Sequence, residues 1–288
     1  MQKTVVLLGC ALFSFQVMAG LRQYSATLEQ SSWSLASNTP LQCELRHDIP
    51  RFGAALFTSV AGKELNLSFR LDMLKLPDHY GLAEVLSVPP VWRPGEQAKA
   101  ITSMKVLRQF DGDLGKAESW TMLTELEQGY SPTFYFSDWY SPFDRIAASL
   151  NPIRFMPVMD QFNQCVSQLL PFNFDDIAFT VLTYESGGDN LTKASKQRLQ
   201  QIAQYLAEDK SIESISIHAY SDSYGGRWMN EQLSVKRANA IKDILLGFGL
   251  EQSRIELEGF GEKRHVASNE TSLGRAKNRR VVIQMQKP

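Results

Sequence analysis

Along this chain the spacing of apolar positions changes near residue 170. Before that point most apolar residues recur at every second position, the pattern of a strand with one buried face. Leu41, Cys43 and Leu45 alternate with Gln42, Glu44 and Arg46, and Leu65, Leu67, Phe69 and Leu71 alternate with Glu64, Asn66, Ser68 and Arg70. Ala61-Gly62-Lys63 reads as a hairpin turn ahead of the second run, and Phe134 and Phe136 flank Tyr135 in a further strand. Two helices interrupt the strands. The first, over 117–128, carries Trp120, Met122 and Leu123 near one face and stops at Gly129; the second, over 156–170, places Met159, Phe162, Val166 and Leu169 on one stripe with Cys165 beside it.

A junction over 171–176 holds Phe172 and Phe174, which predicts packing rather than a loose linker. After it the order becomes strand, helix, strand, helix, strand, strand. Strands are predicted at 176–183, at Ile215, Ile217 and Ala219, at Ile255 and Leu257, and at 280–284. The helices are predicted over 193–208, with Thr192 as N-cap, and over 231–246, ending at Gly247 and Gly249. Strands alternating with helices need crossover connections, hence a mixed sheet with helices packed on it. The reading is an α+β chain: a β-rich domain with a few helices over 20–170 and a βαβαββ domain over 171–288.

Composition narrows the function. Hydrophobic residues make up 43% and charged residues 21% of 288, enough apolar material for two cores. Thirty basic residues against thirty-one acidic ones leave a formal charge of -1, so no global basic field exists for nucleic acid. Lys3, the apolar run over 4–17 and Val17-Met18-Ala19 before Gly20 form a secretory signal, with cleavage expected after Ala19. A lipoprotein box at Leu7-Leu8-Gly9-Cys10 competes with it, but the apolar run continues past the cysteine. Cleavage leaves Cys43 and Cys165, an even pair in an exported chain, read most simply as a disulfide; two buried free thiols are the alternative.

One charged residue sits where an apolar one belongs. Leu233, Arg237 and Ile241 lie at successive i+4 steps, so Arg237 falls on the apolar stripe of its helix, and Asn230 enters on the same side. A buried guanidinium is costly unless an anion meets it. Asp222 ends the preceding strand fifteen residues earlier, and a strand-to-helix loop can bring it over that face. Two readings stay open: a structural Asp222–Arg237 ion pair, or a site for a zwitterion whose ammonium meets Asp222 and whose carboxylate meets Arg237.

Residues 176–285 resemble the OmpA-like peptidoglycan-binding family. The resemblance rests on Asp222, Asn230, Leu233-Ser234-Val235-Lys236-Arg237-Ala238, Gly259-Phe260-Gly261-Glu262 and Asn278-Arg279-Arg280-Val281. It implies non-covalent binding of the diaminopimelate of the peptide stem, with Asp222 and Arg237 as the holding pair and Ser221, Asn230, Leu233, Asn278 and Arg279 around them. Ala219-Tyr220-Ser221 departs from the family's Gly-His-Thr: the hydroxyl and an aromatic donor remain, while Ala219 removes backbone freedom. Asn38-Thr39-Pro40-Leu41, Ile49-Pro50, Phe52-Gly53, 89–96, Phe110-Asp111-Gly112 and 175–180 resemble the MotY family of flagellar T-ring proteins. That resemblance implies a periplasmic ring on the outer-membrane side of the flagellar basal body, contacts with the basal body and a MotX-like ring partner, and help in assembling the stator complexes. A general envelope protein tethering the outer membrane to the wall is the alternative.

Other residues add less. His47, His79, His218 and His265 show no metal-ligand spacing, and neither a Gly-x-Ser-x-Gly elbow nor a Ser-x-x-Lys pair occurs, so no metal, cofactor or enzymatic activity is expected. The Pro-rich loop 89–96 carries Trp92 and Arg93, either as a docking loop for a ring partner or with the tryptophan capping the β core.

Overall fold

The computed structural model describes residues 20–141, 143–185 and 188–288, so the predicted signal and its competing lipoprotein box lie outside the described residues. The N-terminal part contains β1 (Leu21–Ser25), β2 (Trp33–Asn38), β3 (Gln42–Ile49), β4 (Gly53–Val60), β5 (Ser68–Met73), β6 (Gly81–Val88), β7 (Lys99–Val106), β8 (Gly112–Leu114), α1 (Lys116–Glu127), β9 (Ser131–Ser137), β10 (Arg145–Ser149) and α2 (Phe155–Ser167). There follow α3 (Phe174–Ile177), β11 (Phe179–Thr183), α4 (Lys193–Glu208), β12 (Ser214–Ala219), α5 (Arg227–Gly247), β13 (Ile255–Gly259), α6 (Ser272–Asn278) and β14 (Arg280–Gln286). The class is α+β, as the periodicity implies.

Two five-stranded sheets run in the orders β1-β10-β9-β6-β7 and β2-β3-β4-β5-β8. Phe69 on β5 stacks on Phe134 on β9, ring centroids 5.3 Å apart. Cys43 and Leu45 point inward from β3 as their alternation predicts. The run over 64–71 pairs only from Ser68. The Asn66 side chain accepts from Val60 N and donates to Val60 O and Glu64 O, closing a loop where a ladder was expected and leaving Leu65 exposed. On α2 the buried stripe is Met159, Phe162 and Cys165, so the cysteine lies on the stripe itself. It is joined to Cys43 in a disulfide, Cα–Cα 6.0 Å.

The chain forms two compact units, one up to Ser34 with Arg46–Leu56 and Ser68–Met156, the other of Leu35–Leu45, Phe57–Leu67 and Pro157–Pro288. The sequence boundary at 170 therefore falls inside the second unit. The disulfide is one tie there, and Gly62 N to Leu170 O and Leu170 N to Pro40 O are others.

Residues 173–177, expected to continue the junction into a strand, form a helical turn instead. Asn173 accepts from Asp176 N while the Asp176 carboxylate accepts from Asn173 N, a reciprocal cap that holds the turn. The following sheet has the order β11-β14-β12-β13, with β12 and β13 parallel and β14 antiparallel to both neighbours. Its inward residues Leu182, Ile215, Ile217, Val281 and Ile283 pack with Leu199 and Ile202 of α4 and Ile241 and Leu245 of α5. Thr192 caps α4 through its side chain, as predicted. Helix α5 begins four residues before the expected start, bringing Asn230 into its first turn, and α6 was not foreseen.

Candidate functional site

Four segments of the second unit converge on a cleft of about 490 Å³. The end of β12 supplies Ser221 and Asp222, and α5 supplies Asn230, Leu233 and Arg237. Glycine makes this approach possible at two places. A Cβ on Gly259 would come within 2.6 Å of Val235 N, and Gly261, at φ +57°, lies against Glu231. Ser234 accepts from Gly261 N and donates to Glu231 O, and Gly261 O accepts from Ser221 N, so the turn ties α5 to the strand end that carries Asp222.

Arg237 is 2% exposed, as its place on the apolar stripe predicts. It is not the partner of Asp222. Its Nη2 donates to Gly188 O at 2.7 Å, and its guanidinium lies 4.4 Å from the Tyr184 ring centroid. Asp222 instead pairs with Arg279, Nη1 to Oδ2 at 2.8 Å, and accepts from Tyr224 N. The structural Asp222–Arg237 ion pair is thus overturned. The two arginines approach the cleft from different elements, and each leaves its buried Nε without a hydrogen-bond partner among the described residues. Burial lowers the Arg237 pKa from its ordinary value, against the charges of Tyr184, Asp189 and Asp222 that raise it; the group stays cationic. Desolvation pushes the Tyr184 phenol up to about 12, with Arg237 opposing, so a neutral ring faces the cation.

Ser221, Asp222, Asn230, Leu233, Arg237 and Arg279 all line the cleft. Asn278 does not. Buried at the end of α6, it accepts from Val266 N and Ala267 N and donates to Ala267 O and Asn269 Oδ1. Asn269 Oδ1 also accepts from Ser223 N, so Asn278 braces the Asp222 loop from behind. Arg275 also lines the cleft, and Gly188, Asp189 and Tyr224, which the sequence reading missed, complete the lining. The departure at 219–221 is benign in geometry: Ala219 sits in regular strand register opposite Gly259 and Val281. Tyr220 is packed between Phe260, 5.1 Å away, and the Arg280 guanidinium, 3.8 Å away, rather than serving as a donor into the cleft.

Trp92 does not cap the β core: it is 67% exposed, beside the still more exposed Val91. Arg93 anchors the loop that presents it, donating to Tyr130 Oη at 3.1 Å and Gln128 O at 3.3 Å, while Tyr130 Oη donates to Glu96 at 2.7 Å.

Comparison with known proteins agrees with both halves of the sequence reading. Residues 24–171 match the MotY N-terminal domain and residues 183–279 the OmpA family. The sodium-type flagellar protein MotY of Vibrio parahaemolyticus is 43% identical over 272 residues, covering 94% of this chain and 92% of its own length. Outer membrane porin F of Pseudomonas aeruginosa is 37% identical over 89 residues, 31% of this chain and 25% of its own. The crystal structure of the C-terminal domain of Helicobacter pylori MotB is similar at 20% identity and a TM-score of 0.34, covering 38% of this chain and 85% of that one. The chain belongs to the MotY family and carries an OmpA-family domain in its C-terminal part.

Proposed function

We propose that this protein is a periplasmic ring component of the flagellar motor that holds the cell wall through the Asp222–Arg237 cleft. The reading rests on one observation above the others: Arg237, 2% exposed on the apolar stripe of α5, lines the same cleft as Asp222 and pairs with no carboxylate among the described residues. A buried guanidinium without a carboxylate beside it is costly, and an arriving carboxylate offsets that cost. Asp222, with one bond to each carboxylate oxygen, keeps lone pairs for an ammonium. The side chain of diaminopimelate carries both charges on one carbon, and lysine carries only the ammonium. The action is binding, with no bond made or broken. Family membership supports the rest: the N-terminal β-rich part docks on the basal body and a MotX-like partner, with the Trp92–Arg93 loop as one docking element, and the wall-held ring assists stator assembly.

Calorimetry on the full mature chain tests the cleft. A stem tripeptide ending in meso-diaminopimelate binds, and the same peptide ending in lysine binds at least tenfold more weakly; equal affinities would remove the carboxylate argument. Purified basal bodies test the ring: the protein co-purifies with them, and its absence from them leaves only a general envelope tether.

A further inference from the structure

The charges that line the cleft do not balance within the protein. Three arginines, Arg237, Arg275 and Arg279, line it together with two carboxylates, Asp189 and Asp222. Asp222 is met by Arg279, and Asp189 is met by Lys236, which is not in the lining. Two guanidiniums remain, and neither has a carboxylate at ion-pairing distance among the described residues. Arg237 donates to the carbonyl of Gly188, and Arg275, half-buried, donates through Nη1 to Asn269 O at 2.8 Å and Glu270 O at 3.0 Å. The Nε and Nη2 of Arg275 have no hydrogen-bond partner among the described residues. Arg275 precedes Arg279, the C-cap of α6, by four residues, so the two side chains rise from one flank about 6 Å apart along the axis.

A zwitterion brings no net charge to this surplus. Its carboxylate meets Arg237, its ammonium shares Asp222 with Arg279, and Arg275 is left unmatched. A guanidinium fixed through one nitrogen keeps its other N–H groups for a planar anion, and a carboxylate fits that fork. The stem supplies such groups. Its γ-linked glutamate leaves an α-carboxylate free. Diaminopimelate at the end of a tripeptide carries a second carboxylate on its other chiral carbon, four C–C bonds or about 5 Å from the zwitterionic one. Resting on the peptidoglycan reading of the cleft, we infer that Arg275 forms a second anion subsite, which takes one further carboxylate of the stem beside the zwitterion. The subsite makes the protein selective among stems. Amidation of that carboxylate removes its charge, leaves the zwitterion intact and weakens binding.

The test is calorimetry on the full mature chain with three N-acetylated tripeptides ending in meso-diaminopimelate. One has every carboxylate free, one has the glutamate α-carboxyl as its amide, and one has the main-chain carboxyl of diaminopimelate as its amide. The wild-type protein binds at least one of the two amides about tenfold more weakly than the free peptide, the loss of one hydrogen-bonded charged contact, and the amide that suffers identifies the source. Arg275→Gln, with its fold verified by circular dichroism, binds all three probes alike. Arg275→Lys, which keeps the charge and loses the planar fork, shows an intermediate difference and serves where the glutamine variant does not fold. Equal wild-type affinities for the three probes overturn the inference and leave the zwitterion site standing. A full difference that survives in the folded variants overturns it too, because an arginine that only braces the turn at 269–270 weakens all three probes equally when removed. If the wild-type protein binds none of them, the cleft reading falls and the subsite with it.

Discussion

Removing the Cys43–Cys165 bond should weaken the same compact unit that holds the cleft. The bond joins residues 122 apart in sequence, both within the second unit. Closing a loop of that length in the unfolded chain corresponds to about 5 kcal/mol in the chain-entropy treatment. That is comparable with the whole stability of an ordinary domain, about 5–15 kcal/mol. Both sulfur atoms belong to buried side chains, on the inner face of β3 and on the stripe of α2, so alanine substitutions also remove packing. Protein unfolded, reduced and refolded under reductant keeps the sulfur atoms and isolates the crosslink. Urea unfolding followed by far-UV circular dichroism should show a loss of about 3–5 kcal/mol, a midpoint shift on the order of 2 M. Binding of the stem tripeptide measured along the same titration should fail at the same lowered midpoint. A reduced protein that unfolds within about 1 kcal/mol of the oxidised one would refute the reasoning, because the entropy of a loop this long cannot be that small unless the unfolded chain already keeps those segments together.

Three further outcomes follow from the same geometry. Gly259→Ala puts a methyl against Val235 N and should cost about 1–3 kcal/mol in thermal unfolding, with weaker tripeptide binding because Asn230, Leu233 and Arg237 move with α5; an unchanged melt would show the approach is not tight. His47 is buried, its Nδ1 bonded to Ser32 O and its Nε2 accepting from Asn151 N, and burial pushes its pKa below 6.5. The unfolded chain therefore takes up a proton first, so the His47 contribution is complete above pH 6.5 and is lost as pH falls from there through the folded-state value; melting between pH 7.5 and 5 should fall more steeply in wild type than in His47→Gln. Trp92→Ala should change stability by less than about 0.5 kcal/mol yet reduce recovery with basal bodies, and recovery equal to wild type would remove the loop from the docking surface.

What was legible in the sequence was what local pattern controls. Thr192 before a 3.6-period run marked α4, and alternation marked β3, β9 and β12. Failures came where a side chain replaced a backbone partner: Asn66 delayed β5, and the Asn173–Asp176 cap turned the end of the junction and the first residues of a predicted strand into α3, leaving β11 to start at Phe179. The cleft was half visible. An arginine on an apolar stripe is a local anomaly, and the fifteen-residue spacing to Asp222 pointed to one site. Its true partners were not visible, because Gly188 lies 49 residues from Arg237 and Arg279 lies 57 from Asp222 in the chain. Only the sheet order, which sets β14 beside both β11 and β12, brings those segments together. Asn278 matched a family motif, yet its bonds show a brace rather than a ligand contact, a distinction that spacing alone does not carry.

Co-sedimentation of the full mature chain with purified diaminopimelate-type sacculi tests the central claim most directly, comparing wild type with Arg237→Ala and the near-isosteric Asp222→Asn. Removing one member of a buried charged contact typically costs about 2–5 kcal/mol, so each variant, with its fold verified by circular dichroism, should pellet at least about thirtyfold more weakly than wild type. Folded variants that pellet like the wild-type protein would contradict the account and make the cleft a structural cluster of charges.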